Sequence, residues 1–476
     1  MRIFLRTLVV TAALLVFVPL AAGHEEEDGS KPAHSLSFVP RFLVAGATGD
    51  QGSQNALHLA NSPKPESSDL AFWRGAPLQG PYRNLAFAGN YDGFRIFDIA
   101  VPWLPRLVAD VHCRAVQGDG SVYRARDRLI YIQSVDGVVT TPDCAEAVDI
   151  PPGHTGARWE GLRVFDVTNP AAPAHIASVR TVCGSHTHTT IPDAKNQRLI
   201  VYVPSNPGGN GTPFCPQPHA KISIVEIPYA DPAAARVLKE QPLHPDTPEM
   251  VLNGRSMGVA CHDITAFLHP KRPVAFAACQ SEGQLWDISD PANPSTLGPV
   301  THIRNPAIAY WHSASFTWDG KVLAVSDETV NGLCEGTSHT TGNMWFYRVV
   351  KPGEESTLLG RFTPSRPHGG SCFAHNGNVI PTKKGYIGVA PYWTGGTVVY
   401  DFTNPAAPRE IAYYDPVGID GSGQPETWGA YWYNGFIYSS DFNRGFDVFL
   451  PLAREVIPSK TWTHLNPQTQ EASQIP

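Results

Sequence analysis

The chain has 476 residues, a formal net charge of −7 and no cluster of basic residues, which argues against nucleic acid as a partner. Glycine and proline are abundant, at 42 and 44 residues, and there are only 4 methionines. Because long stretches of helix-forming residues are also missing, the composition predicts an all-β protein of short strands joined by tight turns.

The N-terminus has the pattern of a cleaved signal peptide. Arg2 and Arg6 flank the start of an apolar run, TLVVTAALLVFVPLAA, and the small residues Ala21 and Gly23 suit a cleavage site. No later stretch approaches the roughly 20 apolar residues that a membrane-spanning helix needs. We therefore predict a secreted protein without a membrane span, with residues 1–23 as the signal peptide and residues 24–66 as a partly ordered extension.

A hairpin pattern then recurs along the chain. Each copy has an alternating apolar strand, a turn that contains glycine in most copies, and a second strand that usually ends in an aromatic and an acidic residue. The seven copies begin at Leu85, Leu129, Leu199, Val274, Val322, Tyr386 and Phe436. Several continue through an Asn-Pro turn into a further short strand, as in TNPAAPREIAYYD from Thr403.

Four short strands in each of seven repeated units are typical of a β-propeller. We predict a seven-bladed β-propeller over residues 67–451, followed by a C-terminal tail at residues 452–476. A single irregular β-sandwich is the alternative, but a sandwich does not require one hairpin to be repeated seven times.

The repeat phrases resemble those of a known family. GFRIFDI from Gly93, GLRVFDVTNPAAPAHIASV from Gly161 and GTVVYDFTNPAAPREIAYY from Gly396 are similar to the repeats of the LVIVD-repeat propeller proteins, which are secreted bacterial proteins. The resemblance covers most of the chain after Ser67 and implies the fold. It does not imply a reaction, because the family is defined by its repeat.

Eight cysteines in an exported chain favour disulfides, because the compartment is oxidising and the count is even. The cysteines alternate between positions just before inner strands and positions in or beside the following hairpin. This order predicts four pairs, namely Cys113 with Cys144, Cys183 with Cys215, Cys261 with Cys279, and Cys334 with Cys372.

Aligning the units on their inner strands brings out a recurrent histidine. The corresponding positions of the third to sixth units are His188, His262, His312 and His375, and the seventh unit has Trp428 there. Inner strands surround the central channel of a propeller, so these imidazoles are predicted to converge. His186 lies two residues from His188 and is predicted as a fifth ligand or as a partner of one. The alternative is a hydrated channel in which the histidines only satisfy buried hydrogen bonds.

Imidazole ligands suit copper and iron(II) better than the oxygen-preferring magnesium and calcium ions, so copper or iron(II) is the predicted cofactor. Carboxylates near these strands are Asp263, Asp327, Glu328 and Glu426. Of these, Asp263 and Glu426 are the candidate catalytic residues, which would accept hydrogen bonds from metal-bound imidazoles and tune the ion. Aromatic residues that could line the same mouth are Trp311, Trp393, Trp428 and Tyr431.

Three functions fit these features. The first is a metal-dependent oxidoreductase acting on a small molecule, since an axial four-histidine centre is similar in architecture to the propellers of carotenoid oxygenases and of selenium-binding proteins and methanethiol oxidases. The second is a metal-assisted lyase or hydrolase with a histidine as base. The third is a non-catalytic binding propeller at the cell surface. The sequence leaves the substrate and the oligomeric state open.

Overall fold

The computed structural model describes residues 50–75, 79–140, 144, 159–204, 215–216, 218–252, 255–268, 271–328, 342–364, 366, 371–382, 385–417 and 424–461. All of them belong to the second of two units into which the chain divides, Phe38–Pro476. In these residues the regular structure is β-strand and short 3₁₀ turns, at Ala194–Asn196, Pro232–Ala234, Trp393–Gly395 and Ile457–Thr461. None of the described segments forms a helix with the length and apolarity needed to cross a bilayer.

Two strands come before the first predicted repeat, β1 (Asp50–Gln54) and β2 (Ala56–Ser62). Five separate sheets of four strands follow, and within each the antiparallel strands pair in chain order. Their strands are β3 (Ser67–Arg74), β4 (Asn84–Asn90), β5 (Gly93–Asp98) and β6 (Arg106–His112); β7 (Gly120–Ala125), β8 (Arg128–Thr140), β9 (Trp159–Asp166) and β10 (Ala174–Arg180); β11 (Thr189–Asp193), β12 (Arg198–Val203), β13 (Lys221–Pro228) and β14 (Arg236–Pro242); then, after a small hairpin of β15 (Met250–Leu252) and β16 (Arg255–Gly258), β17 (Asp263–Phe267), β18 (Val274–Ala278), β19 (Gly283–Asp287) and β20 (Thr301–Ile303); and β21 (Trp311–Phe316), β22 (Val322–Asp327), β23 (Met344–Arg348) and β24 (Leu358–Phe362).

The remaining strands form one nine-stranded sheet instead of two separate ones. Its strands are β25 (Asn376–Ile380), β26 (Ile387–Tyr392), β27 (Gly396–Asp401), β28 (Arg409–Pro416), β29 (Thr427–Tyr433), β30 (Phe436–Asp441) and β31 (Gly445–Pro451), together with β1 and β2. Two antiparallel halves meet where β25 and β29 pair in parallel, Asn376 with Gly429 and Gly377 with Ala430. The structure is therefore all-β with propeller-like blades. The described residues form five separate four-stranded sheets, because the short parallel contact of β25 with β29 merges the last two sets of strands into one sheet.

The early strands β1 and β2 complete the last two sets of strands. β1 pairs with β28, and β2 pairs with β31 at the edge of the nine-stranded sheet. In the sequence these residues fall in the predicted extension at residues 24–66, and the repeat pattern gave no sign of this pairing. Strands that are far apart in the sequence are thus joined by backbone hydrogen bonds. Each of the last two sets therefore includes one strand from before the first repeat.

The hydrophobic core is divided into clusters that lie between neighbouring sheets. The sheet that begins with β11 packs on the one that begins with β17 through Tyr202 and Trp286, which are fully buried. The last strands pack on the first sheet in the same way, since Phe72 of β3 stacks on Tyr433 of β29 with ring centroids 4.6 Å apart. Alternate residues of each strand face opposite neighbours, so both faces of a blade are apolar.

Three of the four predicted disulfides are formed, Cys113–Cys144, Cys183–Cys215 and Cys261–Cys279. Cys372 is also disulfide-bonded. Its predicted partner, Cys334, lies outside the described residues. Each of the three bonds joins the segment just before the first strand of a four-stranded sheet to the connection between the second and third strands of that sheet. Disulfides are common in proteins of oxidising compartments.

His58, a residue of β2, allows the contribution of the β2–β31 pairing to stability to be tested. His58 Nε2 lies 2.7 Å from Asp447 Oδ1 of β31, both side chains are buried, and the His58 ring stacks on Tyr414. Replacing His58 with Ala should lower the free energy of unfolding by about 2 to 3 kcal/mol, because it removes the stacking and a buried hydrogen bond to a charged group. Urea denaturation measures this change.

His112→Ala is the matched control. His112 also contacts an aspartate at 2.7 Å, but its side chain is 68% exposed, so the loss should stay below about 1 kcal/mol. Equal effects of the two substitutions would contradict a stabilising role for the β2–β31 pairing.

Candidate metal centre

Neighbouring inner strands are joined by side-chain hydroxyls. Thr189 of β11 donates to the carbonyl of Ile264, Thr265 of β17 donates to Ala314 O at 2.7 Å, and Ser315 of β21 donates to Gly377 O at 2.9 Å. Each acceptor lies one residue before the next position in the series. Thr189, Thr265, Ser315 and Asn378 therefore occupy corresponding places in four successive inner strands.

A histidine lies three residues before each of these positions. The four are His186, His262, His312 and His375. Their rings form a continuous row, with centroids 4.6 Å apart for His186 and His262, 4.2 Å for His262 and His312, and 4.2 Å for His312 and His375. His312 occupies a β-bulge between Trp311 and Ser313, which redirects a side chain relative to regular pleating.

Burial keeps three of these imidazoles neutral. Desolvation lowers the pKa of His375 to about 3, and desolvation together with the neighbouring histidines holds the pKa values of His262 and His312 well below the usual range. A neutral imidazole has a lone pair on one ring nitrogen. His262 Nδ1 and His312 Nε2 are buried and have no hydrogen-bond partner, so these atoms are open to a ligand.

Glu328 is the carboxylate that reaches this row. It follows β22, and its Oε2 lies 3.5 Å from His312 Nε2 and its Oε1 3.9 Å from His375 Nε2. Single donor atoms of His262, His312 and Glu328 lie within 4.8 Å of one another, a separation that one ion can span. Desolvation raises the pKa of Glu328 to about 7.

The end histidines of the row are held by neighbouring groups. His375 Nδ1 donates to Trp428 O at 2.6 Å, which leaves its Nε2 lone pair on the side of Glu328. His186 lies with Nδ1 2.6 Å from Asp136 Oδ2 and Nε2 2.7 Å from the Gln117 amide. Burial lowers the pKa of His186, but the Asp136 hydrogen bond and charge outweigh that effect and raise it overall.

The structure differs from the inner-strand alignment at one position. The alignment placed His188 in the four-histidine set and His186 beside it, whereas the described ring contacts join His186 to His262. His188 is buried in a separate small cavity, where its Nδ1 lies 2.8 Å from Ser134 Oγ and 3.1 Å from Asp119 Oδ2. The interstrand hydroxyl contacts determine which residues of neighbouring strands correspond, and His186 lies three residues before the contact residue Thr189. The alignment used the number of residues to the next hydrophobic strand, which selected His188.

The two predicted catalytic carboxylates lie in different surroundings. Asp263 lines the cavity that contains His188, and burial and then Asp119 raise its pKa to about 8. Glu426 precedes β29, where its backbone N–H donates to Asp441 Oδ2 at 2.9 Å. Glu328, one of the four carboxylates near these strands in the sequence, lies next to the imidazoles instead.

The predicted aromatic residues divide into two groups. Trp393 and Trp428 lie beside the metal candidates, with ring centroids 5.9 and 5.1 Å from that of His375. Trp311 is part of the core between two blades, and Tyr431 donates to Asp69 Oδ1 in the cavity that contains His188.

A sequence signal for His186 was present. Both Cys183–His186 and Cys372–His375 read Cys-x-x-His, and Cys261 directly precedes His262. Aligning the third and sixth units on Cys183 and Cys372 pairs His186, and not His188, with His375. Glu328 had no comparable signal, because it comes from the second strand of its blade and reaches the row only through folding.

Comparison with known proteins adds little. No family model and no curated protein matches the sequence. A periplasmic gluconolactonase from Pseudomonas aeruginosa has a TM-score of 0.48 at 12% identity, with 85% of this chain and 96% of that chain covered. Raptor from Chaetomium thermophilum gives 0.47 and 10%, covering 85% and 29%, and an outer coat vertex of COPII on membranes gives 0.48 and 10%, covering 80% and 84%. Similarity this low carries no functional argument.

The hydroxyl contacts can be tested by substitution. Thr265→Val keeps the shape of the side chain but removes the donor to Ala314 O, so the free energy of unfolding should fall by about 1 kcal/mol. The exposed Thr357→Val is the control and should change it by less than about 0.5 kcal/mol. Chemical denaturation measures both, and an unchanged Thr265→Val protein would contradict the role of these contacts.

Proposed function

We propose that His262, His312, His375 and Glu328 bind one transition-metal ion, and that the protein is a metal-dependent oxidoreductase for a small molecule. The observation that carries this proposal is the convergence of donor atoms from His262, His312 and Glu328 within 4.8 Å, in a buried place where two of the imidazole nitrogens have no other partner. Buried polar atoms are usually satisfied, so a set left unpaired indicates a ligand.

The ligand set is His262, His312, His375 and Glu328. His375 belongs to it because its Nδ1–H is committed to Trp428 O while its Nε2 faces Glu328. His186 is a positioning residue in this account, since both of its ring nitrogens already have partners and its ring packs against His262. Three imidazoles and one carboxylate suit copper or iron(II).

A redox-active ion at this place would supply electron transfer or dioxygen activation to a bound small molecule. The side chains contribute the geometry: Trp428 O orients His375, and Ser326 Oγ lies 3.3 Å from His312 Nδ1. The alternative is a metal-assisted lyase or hydrolase, in which a histidine near the ion acts as the base.

We also infer that the fold is a seven-bladed propeller. In the described residues the halves of the nine-stranded sheet are joined by backbone pairing at two residue pairs of β25 and β29, which are the strands equivalent to the inner strands of the other sheets. Core clusters join each set of strands to the next, including the last to the first. Membership of the LVIVD-repeat family and export to an oxidising compartment, with which the three disulfides are consistent, belong to the same proposal.

Metal analysis of protein purified from its native compartment tests the proposed function. We expect close to one equivalent of copper or iron, and less than about a tenth of that amount after His262→Ala or His312→Ala. His112→Ala changes an exposed histidine outside the row and should leave the metal content unchanged.

Other outcomes separate the alternatives. Stoichiometric zinc would replace the oxidoreductase by the lyase or hydrolase, because zinc has no redox chemistry. A folded protein without any transition metal, and without affinity for added copper or iron(II), would contradict the proposal and favour a non-catalytic binding propeller.

A second test distinguishes the roles of His186 and His188, since the sequence alone did not show which of them lies beside the metal ligands. His186→Ala removes a neighbour of a proposed ligand and should weaken metal binding about 10- to 100-fold. His188→Ala should leave the affinity for copper or iron(II) within a factor of about 3, because this side chain faces a different cavity. Competition with a chromogenic chelator measures both, and the reverse order would contradict the ligand set.

A further inference from the structure

A group of aromatic side chains lies beside the row of histidines, at its His375 end. The ring centroids of Trp428 and Trp393 are 5.1 and 5.9 Å from that of His375, and 5.7 Å from each other. Phe373 stacks on Trp393 at 5.4 Å, and Phe442 stacks on Trp428 at 6.3 Å. We call this group the aromatic wall, and its members are Tyr91, Phe373, Trp393, Trp428 and Phe442.

Backbone contacts hold part of the aromatic wall together, although its residues come from segments that are distant in the sequence. Glu66 N–H donates to Phe442 O at 2.7 Å, and Glu66 O accepts from Tyr91 N–H at 3.0 Å. The Tyr91 ring then meets the rings of Trp428 and Phe442 nearly at right angles, with centroid distances of 6.2 and 5.3 Å. These rings are therefore fixed in position before a ligand binds, which lowers the entropic cost of binding.

The aromatic wall differs from the aromatic residues of the blade core in its exposure. Trp286 and Trp432 are fully buried in the core clusters. Tyr91, Trp393 and Phe442 are instead partly exposed. Part of the aromatic wall is thus open to a molecule from solvent.

The proposed metal centre is also accessible next to the aromatic wall. The side chain of Glu328 is 21% exposed, and its Oε1 lies 3.9 Å from His375 Nε2. His375 is the imidazole that both tryptophan rings contact. A molecule that reaches Glu328 and His375 therefore comes close to Trp393 and Trp428.

A further aromatic ring lies near the other proposed ligands. Tyr310 is partly exposed, and its ring centroid is 5.5 Å from that of His262 and 6.5 Å from that of His312. Its carbonyl accepts from Glu328 N–H at 3.1 Å, so this residue is tied to the same carboxylate. Aromatic surface is thus present near all three histidine ligands.

We propose that the aromatic wall determines substrate specificity, and that the substrate is a small planar aromatic compound whose ring packs against Trp393 and Trp428. Aromatic pairs favour offset-stacked or edge-to-face arrangements, so a planar aromatic ring gains more from this surface than a saturated ring of similar size. This inference rests on the proposed function, because it assigns the substrate of the proposed metal centre.

Isothermal titration calorimetry of the protein as purified, with 2-naphthol and decahydro-2-naphthol as probes, tests this inference. Both probes have a hydroxyl group and two fused rings, but only 2-naphthol is planar and aromatic. We expect 2-naphthol to bind about tenfold more tightly. Trp393→Leu should reduce this preference to about threefold or less, whereas Trp393→Phe should keep most of it because an aromatic ring remains.

Trp103→Leu is the matched control. Trp103 is 45% exposed and lies in the connection between β5 and β6, outside the aromatic wall, so the preference should be unchanged. Trp428→Leu is the second variant if Trp393→Leu does not fold. It should also reduce the preference, and it keeps the backbone carbonyl that accepts from His375 Nδ1.

Equal affinities of the wild-type protein for the two probes would overturn the inference, even if the protein contains one equivalent of copper or iron. An unchanged preference in folded Trp393→Leu and Trp428→Leu proteins would overturn it as well. Failure of the proposed function gives a different result. A Trp393-dependent preference for 2-naphthol in a protein that binds no copper or iron(II) would support the aromatic binding site and contradict only the metal centre.

Discussion

The architecture around the candidate sites depends on how neighbouring inner strands are held against each other. Hydroxyls of Thr189, Thr265 and Ser315 donate to carbonyls of the next strand and so fix a common register. A slip of one residue would turn each side chain to the opposite face of its strand. The row of imidazoles is a consequence of this register, because each histidine lies three residues before the position of the interstrand contact.

The same register separates two kinds of donor atom. Residues three before the contact bring imidazoles and Glu328 together, whereas residues one or two before it, among them His188 and Asp263, line the acidic cavity. The inner strands therefore carry two separate groups of polar side chains, one with the row of imidazoles and Glu328 and one with His188 and Asp263.

The sequence predicted those parts that follow from local pattern. Alternating strands and the cysteine order led to propeller-like blades and to three observed disulfides, and the recurrent histidines led to His262, His312 and His375 as neighbours. Contacts between residues that are distant in the sequence could not be predicted from local pattern. The pairing of β2 with β31, the short contact of β25 with β29, and the approach of Glu328 to His312 all depend on residues that are distant in sequence or on different strands.

The most direct test of the central claim is anomalous diffraction from crystals of the protein isolated with its native metal, recorded on both sides of the copper and iron absorption edges. We expect a single peak at one of these edges, within coordination distance of His262, His312 and Glu328. A peak elsewhere in the molecule, or no peak from a crystal soaked with copper or iron(II), would contradict it.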